Sequence, residues 1–144
     1  MPKQKEKNFM AENQQDLAKW SLEKAEQYLL SAKENLEEGR HYVAAEEIFR
    51  AIETSLEAFL YKDGVTKITY PGKGKKFTGR LALQLLIKER LLKKNAITKE
   101  DNDNYLAYAS KLHQAGYKYG SFQEKQLEDA IAFAEELYHR ALAK

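Results

Sequence analysis

The sequence predicts an all-α fold, an antiparallel up-and-down bundle of four to five helices with one long basic loop. Apolar residues recur at intervals of three and four along several segments, the spacing of helices that bury one face. Only seven Gly and two Pro occur in 144 residues, which disfavours a turn-rich β architecture. This length suits one domain. Residues 12–144 are therefore predicted to form a single bundle, preceded by a flexible tail at residues 1–11.

Helix one is predicted from near Asn13 to Glu38, where Gly39 stops it. After Gly39, only Arg40 and His41 precede the next helix, so the pair should form an antiparallel α-hairpin. Its apolar stripe is predicted to comprise Leu17, Trp20, Ala25, Tyr28, Leu29, Ala32 and Leu36.

Helix two, Tyr42 to Gly64, is predicted to lie at the centre of the bundle. Its apolar positions occupy more than one flank, so it can contact neighbours on several sides. They are Ala45, Ile48, Phe49, Ile52, Leu56, Phe59 and Leu60, with a second set of Ala44, Ala51 and Ala58. Five charged residues are predicted to fill most of the remaining surface: Glu46, Glu47, Arg50, Glu53 and Glu57.

The later part of the chain is predicted to hold three further helices. Residues 65–80, VTKITYPGKGKKFTGR, are read as an irregular segment, because a proline and two glycines interrupt its weak alternation. Thr78 is expected to cap helix three, which continues through Leu92 with Leu81, Leu85 and Leu92 on one face and Leu86 beside them. Helix four follows a Thr98 cap, and its predicted stripe is Tyr105, Leu106, Ala109 and Leu112. A capping box of Ser121 and Glu124 should start helix five.

Composition excludes several classes of protein. Apolar residues at 43% and charged residues at 32% are typical of a soluble globular chain. With no cysteine there is neither a disulfide framework nor a zinc–thiolate site. No apolar run approaches the roughly 20 residues of a membrane span, and the start lacks the apolar stretch of a secretory signal. We expect a cytoplasmic protein that does not contact a membrane.

The charge is unevenly distributed along the chain. Residues 62–94 contain ten Lys or Arg and two acidic residues, a formal charge of +8. Because the whole chain carries +2, the remainder carries about −6. Such a segment suggests a region that meets phosphate on an otherwise acidic body, although a solvated lysine-rich loop would also produce it.

Two groups of residues are candidate ligand-binding positions. Lys73, Lys75, Lys76 and Arg80 surround flexible glycines just before a predicted helix start, where backbone N–H groups and cations suit a phosphate of RNA or a nucleotide. The second group is Tyr117 and Tyr119, whose rings could stack on bases, although they could equally anchor the loop between helices.

No metal or cofactor is expected. The Glu-x-x-His spacing of di-iron bundles occurs twice, at Glu38 with His41 and at Glu136 with His139. The first pair straddles the end of a helix and the second lies near the chain terminus, where helices fray. The few serines lack a nearby His–carboxylate arrangement, so covalent catalysis has no support.

The first two helices carry A-x-x-Y-L-x-x-A followed by EEGRHYVAAEEIFRAIETSLEAFLYKDG, which resembles the HEPN family of prokaryotic helical bundles. The segment LHQAGYKYGSFQEKQLEDAIAFAEELYHRAL is similar to that family's final loop and closing helix, and the likeness spans most of residues 17–142. The family positions are matched by Tyr42, Ala45, Ala51, Glu57, Ala58, Leu60 and Gly64.

This resemblance implies a small helical protein, commonly a homodimer and a partner of minimal nucleotidyltransferases. Many members are metal-independent ribonucleases, often of toxin–antitoxin pairs, that use an Arg and a His separated by four to six residues. In such a pair Arg neutralises phosphate while imidazole moves protons. This sequence has no Arg at that distance before any His.

The resemblance and the missing motif together predict a non-catalytic binding or assembly subunit. It would act with a nucleotidyltransferase or an RNA-processing partner and contact RNA or a nucleotide through residues 62–94. The alternative is a divergent ribonuclease that uses His113 with Lys118 or Lys111. A homodimer is expected from the resemblance, from the apolar breadth of helix two and from Trp20.

Overall fold

The chain folds as antiparallel helices with a small β-hairpin inserted between the second and third. The computed structural model describes the backbone of residues 2–113 and 123–144 and the side chains of residues 14–112 and 123–144. The α-helices in these ranges are α1 (Pro2–Glu37), α2 (His41–Lys62), α3 (Gly79–Leu86), α4 (Lys99–His113) and α5 (Glu124–Ala143). Strands β1 (Thr69–Pro71) and β2 (Lys76–Thr78) pair antiparallel, and a π-helical turn (Ile87–Leu92) extends α3. The predicted all-α class is confirmed.

The predicted central position of α2 is also confirmed. This helix packs against α1, α4, α5 and the π-helical turn, so its apolar breadth is used within the chain. Every apolar position predicted for its two flanks is buried, and most are fully enclosed. Across the described ranges, no helix combines the length and the hydropathy needed to cross a membrane.

The α1–α2 hairpin forms as predicted, but α1 differs in two respects. It begins at Pro2 instead of near Asn13; the mobility of residues 1–11 stays a prediction. Trp20 is 50% exposed, so its place in the buried stripe was wrong. Ala25 lies five positions after Trp20, a step that breaks the three-and-four spacing of a helix face. The buried face instead runs through Ala18, Leu22, Ala25, Leu29 and Ala32.

The segment predicted to be irregular contains the β-hairpin. Its strands are only three residues long, with Tyr70 opposite Phe77 and Pro71 opposite Lys76. Strands this short show no usable alternation, and the same glycines that suggested a loop form the turn between them. Two predicted stripe positions in the following helices are also wrong, because Leu81 and Leu106 are exposed.

The helix starts match the predicted caps in part. Thr78 precedes α3 with an extended backbone, as predicted, although its side chain makes no capping hydrogen bond. Before α4, the Thr98 and Asp101 side chains each accept a hydrogen bond from the other's backbone N–H, at 3.0 and 2.9 Å. The predicted Ser121 cap falls outside the described residues. The described α5 begins after Gln123, whose N–H donates to the side chain of Gln126 at 2.7 Å.

Asp101 joins the start of α4 to the end of α5. Its carboxylate accepts a hydrogen bond from the Arg140 guanidinium at 3.0 Å and also caps α4. Burial would raise the pKa of Asp101, but the hydrogen bonds from Arg140 and Thr98 outweigh burial and hold it below its usual range. The contact therefore favours the folded state only while the carboxylate is ionised.

We expect Asp101→Asn to lower the free energy of unfolding by about 1.5 kcal/mol at pH 7, because Arg140 loses a charged partner. Since the folded pKa lies below the unfolded one, the contribution is complete above the ordinary Asp pKa and is lost as pH falls through the folded value. Urea unfolding of both proteins from pH 7 to pH 3 measures the difference, which should shrink with acidification. Asp103→Asn, at an exposed position of the same helix, is the control. A difference between wild type and Asp101→Asn that is constant with pH would contradict the prediction.

Candidate nucleic-acid interface

The β-hairpin presents three of the predicted ligand-binding lysines at its tip. Gly72 donates its N–H to the Lys75 carbonyl at 2.9 Å and closes the turn. A Cβ at Gly72 would lie 2.7 Å from that oxygen and 2.9 Å from the Phe77 ring, so a side chain does not fit there. Gly74 has a φ of +82°, which glycine adopts without strain. Lys73, Lys75 and Lys76 are all exposed.

Arg80, the fourth residue of that predicted group, has a different environment. Its guanidinium makes two hydrogen bonds to the Glu53 carboxylate, at 2.9 and 3.1 Å, and lies 4.6 Å from the centroid of the Phe49 ring. Tyr105 donates its hydroxyl to the same carboxylate at 2.7 Å. The structure therefore separates Arg80 from the hairpin lysines and places it in a network that joins α2, α3 and α4.

The role of Glu53 as the acceptor for Arg80 and Tyr105 was not predicted from the sequence. It was predicted to be a surface position of α2, yet its side chain is only 13% exposed. Burial raises the pKa of Tyr105, and the Glu53 carboxylate raises it further. The hydrogen bonds that Arg80 donates to Glu53 raise the pKa of Arg80, so the guanidinium stays charged. The i, i+4 repeat of Glu53 and Glu57 on an otherwise buried helix was the available signal.

A small cavity of about 300 Å³ lies beside this network and is lined by Glu53, Glu57 and Arg80, among others. Burial raises the pKa of Glu57 and lowers the pKa of Lys24, and their mutual attraction opposes both shifts. The lining acids are too few for a metal. Over the side chains that the structure describes, no group of three or more His, Asp or Glu could hold an ion.

A larger groove, which we call the Tyr70 groove, lies between residues 64–71 and the helical face from Leu86 to Lys94. Its volume is about 680 Å³. Asp63, at its edge, contacts Arg90 at 3.5 Å and Lys94 at 3.1 Å. The side chains that define its chemistry are Lys67, Tyr70, Leu86, Glu89, Arg90 and Lys94.

The hairpin, the Tyr70 groove and the helical face behind it belong to residues 62–94, which we call the basic lobe. Four of its ten cations are engaged. Lys62 donates to the Ala141 carbonyl at the end of α5, at 2.7 Å, and Arg80, Arg90 and Lys94 contact carboxylates. The other six are exposed: Lys67, Lys73, Lys75, Lys76, Lys88 and Lys93. Much of the predicted positive charge therefore faces solvent.

The second predicted site lies where the structure gives no side chains. Tyr117, Lys118 and Tyr119 fall outside the described residues, as does the side chain of His113. Lys111 is exposed in the last turn of α4. The stacking role of the tyrosines and the ribonuclease role of His113 with Lys118 stay predictions.

Another groove, of about 820 Å³, lies between α1, the end of α2 and the end of α5. It contains Tyr61, Tyr138 and Leu142 together with lysines and glutamates. Three lysines stand against two glutamates in its lining, so it has only a small excess of positive charge. The basic lobe is therefore the better candidate for an anionic ligand.

Comparison with known proteins gives a match to a protein family. The archaeal PaREP1/PaREP8 family matches residues 21–138, a range that contains α2, the β-hairpin, the Tyr70 groove and α4. No curated protein and no solved structure matches the chain. Because the match covers most of its length, the chain belongs to the archaeal PaREP1/PaREP8 family.

Proposed function

We propose that this protein is a non-catalytic, HEPN-like subunit that binds RNA through its basic lobe. The observation that carries the proposal is the position of Lys73, Lys75 and Lys76, which lie exposed at the tip of a paired hairpin. Two glycines that a side chain would strain or displace form the turn of this hairpin. Cations placed together on a hairpin can neutralise neighbouring phosphates at a lower ordering cost than cations on a free loop.

The charge around the hairpin supports RNA over an uncharged ligand. The basic lobe has a formal charge of +8 and keeps six cations exposed, whereas the rest of the chain carries about −6. An acidic body repels the phosphate backbone, so the RNA should follow the lobe and not wrap the bundle. The sequence lacks the Arg–His spacing of the ribonucleases that it resembles, which supports binding without cleavage.

The assembly around this subunit is part of the proposal. A nucleotidyltransferase-type or RNA-processing protein would act on the bound RNA, as the HEPN resemblance implies. A homodimer is compatible with this proposal, but the apolar breadth of α2 no longer supports it, because those side chains are buried within the chain. A dimer contact would instead need the exposed apolar side chains of the first two helices, which are Trp20, Leu30, Tyr42 and Val43.

We expect joint replacement of Lys73, Lys75 and Lys76 with glutamine to weaken binding of a 20-nucleotide single-stranded RNA on the order of 100-fold at 50 mM salt. Each phosphate contact to a single strand contributes about 0.7 to the slope of log affinity against log salt, so the slope should become shallower by about 2. Fluorescence anisotropy between 50 and 300 mM salt measures both quantities.

The control removes the same charge elsewhere. Lys19, Lys33 and Lys125 are outside the basic lobe on α1 and α5, and their joint replacement with glutamine should change the slope little. Equal losses in the two triple variants would show that only net charge matters and would contradict the assigned surface. Cleavage of the RNA in the presence of chelator, abolished by His113→Ala, would instead favour the ribonuclease alternative.

A further inference from the structure

We infer that the Tyr70 groove holds one nucleotide of a single-stranded RNA and distinguishes cytosine from uracil through Glu89. The inference rests on the proposed function, because it names where in the basic lobe a base is bound. The base would lie against Tyr70, its phosphates would contact Lys67, Arg90 and Lys94, and its amino group would donate to Glu89. Each part of this assignment follows from the lining of the groove.

The cations of the groove are held in place but are not neutralised. Asp63 contacts both Arg90 and Lys94, so one carboxylate is shared between two positive charges. Lys67, at the other wall, is exposed. With Glu89 included, three cations stand against two carboxylates, so the groove itself has a formal charge of +1, and two of its cations lie together on Asp63, an arrangement that suits a phosphate.

Tyr70 supplies an aromatic surface beside these cations. Its ring is half-buried and packs on the edge of the hydrophobic core, and it also lines the groove. Its position is fixed by the pairing with Phe77 across the hairpin. Stacking of a base on a ring held in this way is the usual means by which proteins hold an unpaired nucleotide.

Glu89 is the residue that a site for phosphate alone would not contain. It is exposed, lines the groove, and is close enough to Tyr70 to raise the pKa of the phenol. An ionised carboxylate only accepts hydrogen bonds. Cytosine offers an amino group at the position where uracil has a carbonyl, so Glu89 should attract the first base and repel the second.

Glu89 and Arg90, which both line the groove, lie in the π-helical turn. At its end the Lys93 N–H donates to the Lys88 carbonyl at 3.3 Å, a bond that spans five residues instead of four. Such turns alter the direction of side chains and occur frequently at functional sites. A regular α-helix would offset these side chains differently.

The test compares two RNA hexamers of equal length and charge, C6 and U6, by fluorescence anisotropy. We expect wild-type protein to bind C6 about fivefold more tightly than U6. The Glu89→Gln protein should bind both hexamers more tightly than wild type, because a negative charge is removed. It should lose the preference for C6, since a glutamine amide can accept a hydrogen bond from cytosine and donate one to uracil. Tyr70→Ala should weaken both about tenfold, whereas Tyr70→Phe should retain the wild-type affinity.

Glu100→Gln is the matched control for charge, because Glu100 is exposed and does not line the groove. It should keep the preference for C6.

Equal binding of C6 and U6 by wild type, or a preference for C6 that persists in the Glu89→Gln protein, would overturn the inference. The proposed function would survive such a result, provided that the variant with Lys73, Lys75 and Lys76 replaced by glutamine still bound RNA more weakly and with a shallower salt dependence than wild type. If cytidine monophosphate displaced C6 from the protein at a concentration equal to that of C6, the groove would be a site for a free nucleotide, and the inference would be overturned. If the wild-type protein bound no RNA, both proposals would be overturned.

Discussion

Replacing Glu53 with alanine should lower the free energy of unfolding by about 4 kcal/mol, among the largest effects of a single change in this chain. Glu53 is nearly enclosed and accepts hydrogen bonds from Arg80 and Tyr105. Its removal leaves a charged guanidinium and a buried hydroxyl without their partner. Breaking one side of such a pair costs more than the pair itself contributes, because Arg80, whose side chain is 35% exposed, stays partly desolvated and Tyr105 stays buried.

The measurement is urea unfolding at pH 7, with Glu46→Ala as the matched control. Glu46 lies on the same helix and pairs with Arg50, but both side chains are well exposed. Exposed pairs of this kind contribute about 0.5 kcal/mol or less. A loss for Glu53→Ala no larger than the loss for Glu46→Ala would show that the network contributes little and would contradict the prediction.

A double variant separates the charge from the packing. Glu53→Met combined with Arg80→Met removes both charged groups and keeps similar volume, so it should recover about 2 kcal/mol relative to Glu53→Ala. Tyr105 would still lack an acceptor, which limits the recovery. If the double variant were as unstable as Glu53→Ala, the loss would come from packing around Arg80 and Phe49 instead of from the unpaired charge.

This network also connects stability to the proposed interface. Arg80 is the second residue of α3, and α3 follows β2 directly, so the bonds of Arg80 to Glu53 attach the base of the hairpin to the central helix. The lysines at the tip are exposed and contribute little to this attachment. The basic segment thus divides its cations between two tasks: Arg80 holds the lobe to the bundle, and the tip lysines remain available for phosphate.

The sequence predicted the helical skeleton because the signals for it are local. The three-and-four spacing on α2, the glycine after α1 and the Thr98–Asp101 box each lie within a few residues. The β-hairpin was not predictable in this way, because three-residue strands are stabilised by their turn and by the helix beneath, not by their own alternation.

The candidate site was predictable only as a charge. The count of cations in residues 62–94 indicated a basic surface, but not that Arg80 turns inward to a glutamate of α2. The Tyr70 groove unites Lys67 with Arg90 and Lys94, more than twenty positions later in the chain. Such a grouping depends on tertiary packing and on a π-helical turn, for which the sequence carries no periodic signal.

Leu60→Ala should lower the free energy of unfolding by about 3 kcal/mol. Leu60 is fully buried near the end of α2, where the helix is enclosed by its neighbours. Truncation removes apolar contacts and leaves a cavity that a closely packed core cannot fill. Chemical unfolding with a two-state fit measures the change, and the slope with urea should stay constant because the fold is retained.

Leu30→Ala is the matched control, because it deletes the same atoms from a side chain that is 61% exposed on α1. It should change stability by about 0.5 kcal/mol or less. The contrast tests the central position of α2 directly, since both substitutions alter helix propensity equally. Similar losses at the two positions would mean that Leu60 is not enclosed, and the packing of the bundle around α2 would then be wrong.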